Sequence, residues 1–496
     1  MQDSENETPF ETPRVRAPEI DRPGLEWLNL DKPLSLKELE GRMVILDFWS
    51  YCCINCMHVL PALKMVEAAY PDEVVVIGVH SPKFSAEQRS GNLRAAMARY
   101  GVTHPVVNDV NFTLWREYAV RAWPTLVFIG PEGHVMGQLA GEPDPERLLM
   151  AVSELVERWD TQGVLTPRHL ETQPLDTPTG RFAFPGKLKP LPGAAKLWGL
   201  ADAGHHQIVV LDDSGAEQTR CGNEMAGFSD GPSEQARFRS PQGLAATRTA
   251  IFVADTGNHA IRRIDRETGR VSTVAGTGTR GMVVQESEPA LAADLASPWD
   301  LAVDGDLVYL ANAGTHQILT LDLASRELTP LAGNGGEEII DGDAREAQLA
   351  QPSGLALDAG AHALYFADSE TSSIRVVDLS DRAVRTLVGE GLFEFGEDNG
   401  AFENARLQHP LGLDVYDGEV FVADSYNHKA RVLDLAARRV RDLDDGFACM
   451  DEVCIPAAEP AGIQADGAQR VLLVDTNNHR VMEYDLAART SRTWAV

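Results

Sequence analysis

Residues 43–56 have the sequence MVILDFWSYCCINC, and this stretch decides the fold of the N-terminal part of the chain. The apolar run 43–49 is typical of a central strand, and apolar residues at helical spacing from Cys56 to Tyr70 predict a helix after it. A dithiol exchange site needs two thiols one helical turn apart. The first belongs at the helix N-terminus, because unpaired backbone amides and the helix dipole favour its thiolate. We therefore assign Cys53 as the attacking nucleophile and Cys56 as the resolving thiol.

The sequence after this motif alternates between strand and helix patterns. A second buried strand is predicted at 74–79, helices at 92–100 and 145–159, and a hairpin opening at 126–129. This order predicts an open α/β sheet covered on both faces. Pro124, just before the hairpin, could form a cis peptide bond and be placed against the dithiol.

Other interpretations of the cysteine cluster stay open at this stage. Cys53 and Cys56 could instead be a buried structural pair in an inactive fold. Cys52 is either a third redox thiol or a small buried side chain, and the second is favoured. A zinc site built on these three cysteines with His58 is disfavoured, because adjacent cysteines fit tetrahedral ligation badly.

Beyond residue 180 the chain repeats one short pattern six times. The segments ADTGNH (254–259), ADSYNH (423–428) and VDTNNH (474–479) are close copies, and weaker copies begin at 201, 311 and 367. Each copy lies among about four predicted strands, and repeats of this size and composition are typical of propeller blades. Six copies predict a six-bladed ring.

Histidines and aspartates recur at fixed steps of these repeats. A hydrolase or lyase with a metal in the central channel is one interpretation of such a ring. We favour a structural role, in which side-chain hydrogen bonds close the turn between two blade strands, because each blade must satisfy its own turn. The residues concerned are His206, His259, His316, His428 and His479, with Asp202, Asp255, Asp368, Asp424 and Asp475.

These features resemble known families. Residues 25–160 resemble the thioredoxin fold, closest to thioredoxin-like proteins with an embedded extra helix that act in disulfide reduction, and residues 181–496 resemble NHL repeats. The Cys-Cys-Ile-Asn-Cys core fused to such repeats is similar to the NHL repeat-containing thioredoxin-like family of bacteria and animals. The resemblance implies a multidomain chain of α/β plus all-β class, in which a thioredoxin-like fold precedes a six-bladed NHL-type β-propeller.

The resemblance also implies roles for single residues. Asp47, six residues before Cys53, matches the buried carboxylate that helps to deprotonate the resolving thiol in thioredoxins. Pro124 matches the proline that keeps the backbone beside the sulfurs open to a substrate peptide. Cys52 replaces the usual aromatic residue and Ile54-Asn55 replaces Gly-Pro. The interior positions tune the reduction potential, so the direction of electron flow stays open.

Composition limits the partners and the location of the protein. The 496 residues include 74 acidic and 44 basic ones, a formal charge of −30, which opposes binding to nucleic acid or to anionic lipid. The N-terminus lacks the positively charged segment and the apolar segment of a secretory signal peptide. The sequence also contains no uninterrupted apolar run of about 18 residues, the length expected of a transmembrane helix. The expectation is a cytoplasmic protein that needs no membrane.

The expected organisation has four parts: a disordered tail at 1–24, the thioredoxin-like domain at 25–160, a linker at 161–180 and the propeller at 181–496. Six cysteines are too few for a disulfide scaffold. Cys449 and Cys454 are either free thiols or a loop clasp, with free thiols the default in a reducing compartment.

The expected function is thiol–disulfide exchange on a protein disulfide, with the propeller face docking a protein or peptide partner. No flavin or nicotinamide motif is present. The Cys53–Cys56 disulfide would therefore be the redox group, and an external reductant of thioredoxin or glutaredoxin type would restore it. The alternative is a protein-interaction scaffold in which the thioredoxin-like domain is redox-inactive.

Overall fold

A computed structural model describes residues 15–496, which form two compact units that divide between Thr177 and Pro178. The first unit contains strands β1 (Val15–Arg16), β2 (Glu26–Leu28), β3 (Met43–Trp49), β4 (Val74–His80), β5 (Val106–Asn108), β6 (Thr125–Ile129) and β7 (His134–Ala140). Its helices are α1 (Ile54–Ala69), α2 (Ser90–Tyr100), α3 (Thr113–Glu117) and α4 (Pro145–Thr161), with short 3-10 turns at Leu36–Leu39 and Ala86–Gln88.

The strands of the first unit form one mixed sheet in the order β1-β7-β6-β3-β4-β5-β2. Strands β3, β4 and β5 are parallel, and β6 runs antiparallel to β3. All seven residues of β3 are buried, which explains why six of them are apolar; the exception is Asp47. One face packs under α1 and α4, and the other under α3 and the N-terminal segment. This is the thioredoxin-like fold that the sequence predicts.

Two predicted boundaries differ from the structure. Residues 1–14 of the expected tail lie outside the described residues, but residues 15–24 pack on the domain: β1 pairs with β7, and Ile20 is fully buried. The expected linker also belongs largely to the first unit, because Leu165 packs in its core and the Arg168 N–H donates to the Asp72 carbonyl. In both segments a few apolar side chains and backbone hydrogen bonds outweigh a polar composition.

The second unit is a ring of six β-sheets, one for each sequence repeat. The first three blades contain β8 (Pro185–Leu191), β9 (Leu197–Asp202), β10 (Gln207–Asp212) and β11 (Glu217–Cys221); β12 (Gly243–Ala246), β13 (Ala250–Asp255), β14 (Ala260–Asp265) and β15 (Val271–Ala275); and β16 (Glu288–Pro289), β17 (Pro298–Asp304), β18 (Leu307–Asn312), β19 (Gln317–Asp322) and β20 (Glu327–Ala332).

The other three blades follow the same plan. They contain β21 (Gly342–Asp343), β22 (Pro352–Asp358), β23 (Ala363–Asp368), β24 (Ser373–Asp378) and β25 (Ala383–Val388); β26 (Gly400–Ala401), β27 (Gly412–Tyr416), β28 (Glu419–Asp424), β29 (Lys429–Asp434) and β30 (Arg439–Asp442); and β31 (Ala448–Cys449), β32 (Gly462–Ala465), β33 (Arg470–Asp475), β34 (Arg480–Asp485) and β35 (Thr490–Ala495). Short 3-10 turns follow the second long strand at Thr256–Asn258, Ala313–Thr315, Ser369–Thr371, Ser425–Asn427 and Thr476–Asn478.

The ring closes by side-chain packing, and the first and last blades do not exchange a strand. The first blade is built from β8 to β11 and the last from β31 to β35, so each uses strands that are consecutive in the chain. An apolar cluster joins them, with Leu188 and Leu200 of the first blade packed with Leu472 and Val474 of the last. Similar clusters lie between the other neighbouring blades.

The repeated histidines connect five of the six blades to the following blade. In five blades the histidine Nδ1 accepts a backbone N–H from the following blade, at 3.0–3.1 Å. The histidine backbone is left-handed and itself completes the turn, which leaves the side chain to reach the neighbour. The role is structural, as predicted, but the predicted bond within the turn is wrong. The pairs are His206–Ser240, His259–Ser297, His316–Gln351, His428–Glu459 and His479–Phe184.

The repeated aspartates are fully buried beneath these turns. Asp368 accepts the N–H of Ala350 at 2.7 Å and pairs with the buried guanidinium of Arg375 at 2.8 Å. Equivalent ion pairs occur in four further blades. The aspartates therefore stabilise the turn of their own blade from inside, in agreement with the structural role predicted for them.

Candidate active site

Cys53 is placed at the start of α1, after a short turn that leaves β3. Its backbone is extended, with φ −77° and ψ 113°, and its Sγ accepts the N–H of Cys56 at 3.4 Å. Cys53 is half-buried, whereas Cys56 has no exposed surface. The sulfur that a substrate can reach is therefore Cys53, at the positive end of the helix dipole. The arrangement is the one that the spacing predicts.

Cys56 is a poor nucleophile until it loses its proton. Burial raises the pKa of the Cys56 thiol well above its ordinary value, and the hydrogen bond and charge of Cys53 raise it further. The carboxyl group of Asp47 acts in the same direction. A thiol in this environment needs a nearby base at neutral pH.

Asp47 is suited to be that base. It lies in the middle of β3, in register with Gly78 of β4, and is fully buried. Among the described residues, neither of its carboxyl oxygens has a hydrogen-bond partner. Burial raises the pKa of Asp47 to about 7, against an opposing effect from the charge of His104. A carboxyl group with this pKa can both accept and release a proton near neutral pH.

A group of polar side chains extends from Asp47 toward the surface, and the sequence analysis did not find it. A Cβ added to Gly78 would lie 2.9 Å from Trp49 Nε1 and 3.5 Å from His104 Nε2, so both nitrogens face the space beside Gly78. On its other side, the His104 ring places Nδ1 3.3 Å from Glu67 Oε1. The Glu67 side chain is 26% exposed and the His104 side chain 4%. Titratable groups thus lead from the buried aspartate to solvent.

Cys52 is held by a buried carboxylate that the sequence analysis also missed. Glu87 Oε1 accepts the Ser50 hydroxyl at 2.7 Å and the Cys52 N–H at 3.0 Å. Burial alone would raise the pKa of Glu87, but hydrogen bonds and the charge of His80 hold it at about 2. The ionised Glu87 therefore fixes the turn that presents the motif.

The thiol of Cys52 takes part in this network. Its Sγ lies 3.1 Å from Ser50 Oγ, and since that hydroxyl donates to Glu87, its oxygen can accept from the thiol. Cys52 is only 4% exposed. These contacts favour the small buried side chain over a third redox thiol.

Pro124 lies at the same edge of the sheet as the cysteines. The Trp123–Pro124 peptide bond is cis, as expected from the sequence. The next residue, Thr125, begins β6 and is in register with Phe48 near the end of β3. The Gly141 N–H donates to the Pro124 carbonyl at 2.9 Å, which ties the proline to the end of β7.

His58 has a carboxylate partner beside this proline. Its Nδ1 lies 3.0 Å from Glu142 Oε2, and both side chains are largely buried. Glu142 follows Gly141, the residue that binds Pro124. The Glu142 carboxylate thereby orients the imidazole ring of His58.

Cys449 and Cys454 form a disulfide, so the default expectation of free thiols is wrong. Their Cα atoms are 6.1 Å apart, within the range that a disulfide spans. Four intervening residues are compatible with either state, and the loop geometry decides between them. The remaining blade cysteine, Cys221, is buried, and burial raises its pKa to about 12.

Within residues 15–496, no helix is both long enough and apolar enough to cross a bilayer.

Comparisons with known proteins agree with both units. A family model described as thioredoxin-like matches residues 41–135. The chain is 38% identical over 507 residues to NHL repeat-containing protein 2 of Homo sapiens, an alignment that covers 94% of this chain and 70% of that protein. It is 39% identical over 494 residues to Protein SUPPRESSOR OF QUENCHING 1, chloroplastic, of Arabidopsis thaliana. That alignment covers 93% of this chain and 46% of that protein.

A shorter similarity involves the first unit alone. Over 106 residues the chain is 26% identical to the thiol-disulfide oxidoreductase ResA of Halalkalibacterium halodurans, which covers 21% of this chain and 56% of that protein.

Proposed function

The chain belongs to the family of NHL repeat-containing protein 2, and we propose that its N-terminal domain catalyses thiol–disulfide exchange on protein substrates. The observation that carries this proposal is the sulfur pair at the start of α1, with Cys53 reachable and Cys56 buried behind it. The similarity to a thiol-disulfide oxidoreductase supports a redox role in general.

In the first step the Cys53 thiolate attacks one sulfur of a substrate disulfide. A bond forms between Cys53 and that sulfur, and the second substrate sulfur leaves as a thiolate. The helix N-terminus stabilises the attacking thiolate before the reaction. Pro124, at the same edge of the sheet, would leave the backbone beside Cys53 open to an extended peptide.

In the second step Cys56 releases the substrate. Asp47 accepts the Cys56 proton, and the resulting thiolate attacks Cys53 Sγ. The first substrate sulfur leaves as a thiolate and is protonated, so the substrate gains two electrons and the enzyme holds a Cys53–Cys56 disulfide. An external dithiol reductant of thioredoxin or glutaredoxin type must then restore the pair.

The proton on Asp47 needs a way out of the protein interior. His104 acts electrostatically on Asp47, and its Nδ1 is 3.3 Å from the carboxylate of Glu67, whose side chain is partly exposed. We propose that the proton passes along His104 and Glu67, since the absence of a side chain at Gly78 lets the indole of Trp49 and the imidazole of His104 approach the same small space.

The propeller completes the proposal as a docking platform for a protein or peptide partner. A cytoplasmic location belongs to the same proposal, because thioredoxin and glutathione systems there can supply the reductant. The formal charge of −30 is compatible with protein partners and opposes polyanionic ones.

Trapping of the mixed disulfide tests the proposed chemistry. The reduced full-length chain is mixed with a peptide disulfide, quenched with acid and analysed by mass spectrometry. Cys56→Ser is expected to accumulate a peptide adduct on Cys53, Cys53→Ser is expected to give none, and Cys221→Ser serves as the matched control that behaves like the parent. If Cys53 forms no adduct, the domain is an interaction surface in a non-catalytic scaffold.

A further inference from the structure

The innermost strands of the six blades surround the axis of the ring. They are β8, β12, β17, β22, β27 and β32, and each contacts its two neighbours. The second residue after the proline of each blade faces the axis, and in four blades it is glycine: Gly243, Gly354, Gly412 and Gly462. A Cβ at these glycines would lie 2.4–2.9 Å from a carbonyl oxygen of the next inner strand, so the axis is narrow at this level.

The other two blades carry opposite charges at the same position, Lys187 and Asp300. Lys187 is buried, and its Nζ donates to the carbonyls of Leu411 and Ala461 in the fifth and sixth blades. The lysine therefore fills the axis at this level. Asp300 Oδ2 accepts the Leu355 N–H at 2.9 Å, but its buried Oδ1 has no hydrogen-bond partner in the described part of the chain.

The next level of the axis carries a glutamine with a second unmet acceptor. Side chains two residues apart on a strand point the same way, so Gln464 follows Gly462 toward the axis. Its Nε2 donates to Asp414 Oδ2 at 2.5 Å and to the Ala465 carbonyl at 3.1 Å, which fixes the amide. Gln464 is 7% exposed, and its Oε1 has no hydrogen-bond partner among the residues that the structure describes. Because a buried acceptor without a donor is costly, this oxygen and Asp300 Oδ1 favour a ligand that supplies N–H groups.

The inner strands of three neighbouring blades end in acidic residues at one face of the ring. Asp304 is the last residue of β17 and Asp358 the last residue of β22, while β27 ends at Tyr416, which is 40% exposed and is followed by Asp417. Within residues 15–496, none of these three aspartates forms an ion pair. We call these four residues the acidic mouth.

Two tyrosines lie beside the carboxylates of the acidic mouth. Tyr309 is paired across the strands with Ala302, two residues before Asp304, and Tyr365 has the same relation to Asp358. Burial and the charge of Asp304 raise the pKa of Tyr309, and burial and the charge of Asp358 raise the pKa of Tyr365. The same pair of a carboxylate and an aromatic ring thus recurs in two adjacent blades.

The one basic residue at the level of Gln464 is Lys189, on the first blade. It acts on the fifth blade, where its charge opposes the effect of burial, which raises the pKa of Asp414. The first blade lies opposite the fourth in a ring of six, so Lys189 leaves the carboxylates of the third and fourth blades without a cation. The remaining residues at this level have small side chains: Ala245, Ala302 and Ala356.

We propose that the acidic mouth binds an arginine side chain in a basic segment of a protein partner. The proposal rests on the docking role proposed above for the propeller and gives that partner its chemistry. A guanidinium has five N–H donors in one plane, forms charge-assisted hydrogen bonds with carboxylates and stacks on aromatic rings. An ammonium group has three donors and does not stack in this way. The formal charge of −30 also attracts a basic partner.

Binding of labelled peptides to the full-length chain tests the proposal. The probes are a fluorescent peptide in which arginine alternates with glycine, and the same peptide with citrulline or with lysine at the arginine positions. Fluorescence anisotropy should show that the arginine peptide binds at least about tenfold more tightly than the citrulline peptide, which has the same shape without the charge. The lysine peptide should bind more weakly than the arginine peptide.

A pair of double variants separates the acidic mouth from the overall charge of the protein. Asp304→Asn, Asp358→Asn should weaken binding of the arginine peptide at least about tenfold. Glu234→Gln, Glu346→Gln makes the same change in charge at two exposed residues in the connections between blades, on the opposite face of the ring. This control should change the affinity less than about twofold, because surface charges far from a ligand are screened.

Three results would overturn the inference: equal affinity for the arginine and citrulline peptides, equal affinity for the arginine and lysine peptides, or an equal loss in the two double variants. The exchange reaction has a separate readout, the adduct of Cys53 with an uncharged peptide disulfide. We expect Asp304→Asn, Asp358→Asn to form that adduct at the parental rate. If the adduct forms but the arginine peptide does not bind, only the arginine site is refuted; if the peptide binds but no adduct forms, only the exchange reaction is refuted.

Discussion

Replacing Asp47 with asparagine removes a buried carboxyl group, and the free-energy cost of ionising that group in the folded protein can be calculated from its pKa. Burial raises the pKa of Asp47 from 3.8 to about 7. One pKa unit corresponds to about 1.36 kcal/mol, so ionising Asp47 in the folded protein costs about 4 kcal/mol more than in the unfolded chain. Between these two pKa values the folded state binds more protons than the unfolded state. The stability of the domain therefore falls as the pH rises from about 4 to about 7.

Asp47→Asn should abolish this pH dependence. We expect the variant and the parent to have similar stability at about pH 2, where the carboxyl is protonated in both states, and the variant to be more stable by up to about 4 kcal/mol at pH 8. Hydrogen exchange of the β3 amides, corrected for intrinsic exchange rates, measures the opening free energy of this domain within the full chain.

The same variant should lose the second step of the reaction. A positioned general base typically contributes about 10²–10⁴ in rate, so release of the substrate from Cys53 should slow at least about 100-fold at pH 8. Formation of the mixed disulfide should change much less, because Asp47 acts on Cys56. Rapid mixing with a peptide disulfide separates the two steps.

Two outcomes would refute this reasoning in different ways. A variant that gains no stability at pH 8 would show that Asp47 carries no buried charge there. A variant that gains stability but releases the substrate at the parental rate would show that Asp47 does not act as the base for Cys56.

Three further substitutions test other parts of the structure. Glu87→Gln removes a buried carboxylate whose pKa is held at about 2, so it should lower the free energy of unfolding by about 3 kcal/mol above pH 5. This loss should fade as the pH falls toward 2. Unchanged hydrogen exchange of the β3 amides would contradict the role of Glu87. Cys52→Ala should keep the exchange rate within about twofold, whereas a tenfold loss would make Cys52 a third redox thiol. Arg375→Met leaves Asp368 buried without its cation and should destabilise the propeller by about 3–5 kcal/mol in urea unfolding. Arg385→Met, at an exposed ion pair, is the matched control and should change stability by less than about 1 kcal/mol.

The sequence predicts secondary structure and repeats most reliably where one pattern of apolar residues, or one repeated motif, runs through a whole segment. The run 43–49 has the same bounds as β3, because every side chain in that strand is buried and Asp47 is the one polar residue among them. The six blades follow from six copies of one motif. The start of α1 differs by two residues, since Ile54 and Asn55 already belong to the helix, whereas Cys52 and Cys53 lie in the turn before it.

The residues around the site were harder to predict because their importance depends on the fold. Glu87 and His104 lie in connections between elements, far along the chain from Cys52 and Asp47, and no spacing relates them. Only the pairing of β3 with β4 brings Gly78, and with it His104, beside Asp47. The disulfide at Cys449 likewise depends on a loop conformation that spacing alone does not determine.

The reduction potential of the Cys53–Cys56 couple tests the central claim most directly. The full-length chain is equilibrated across a glutathione or dithiothreitol redox series and alkylated, and the two cysteines are quantified separately from Cys449 and Cys454. We predict a reversible two-electron transition at roughly −270 to −200 mV, the span from thioredoxin to the glutaredoxins. If Cys53 and Cys56 stay as thiols across the whole series, the proposed exchange reaction is contradicted.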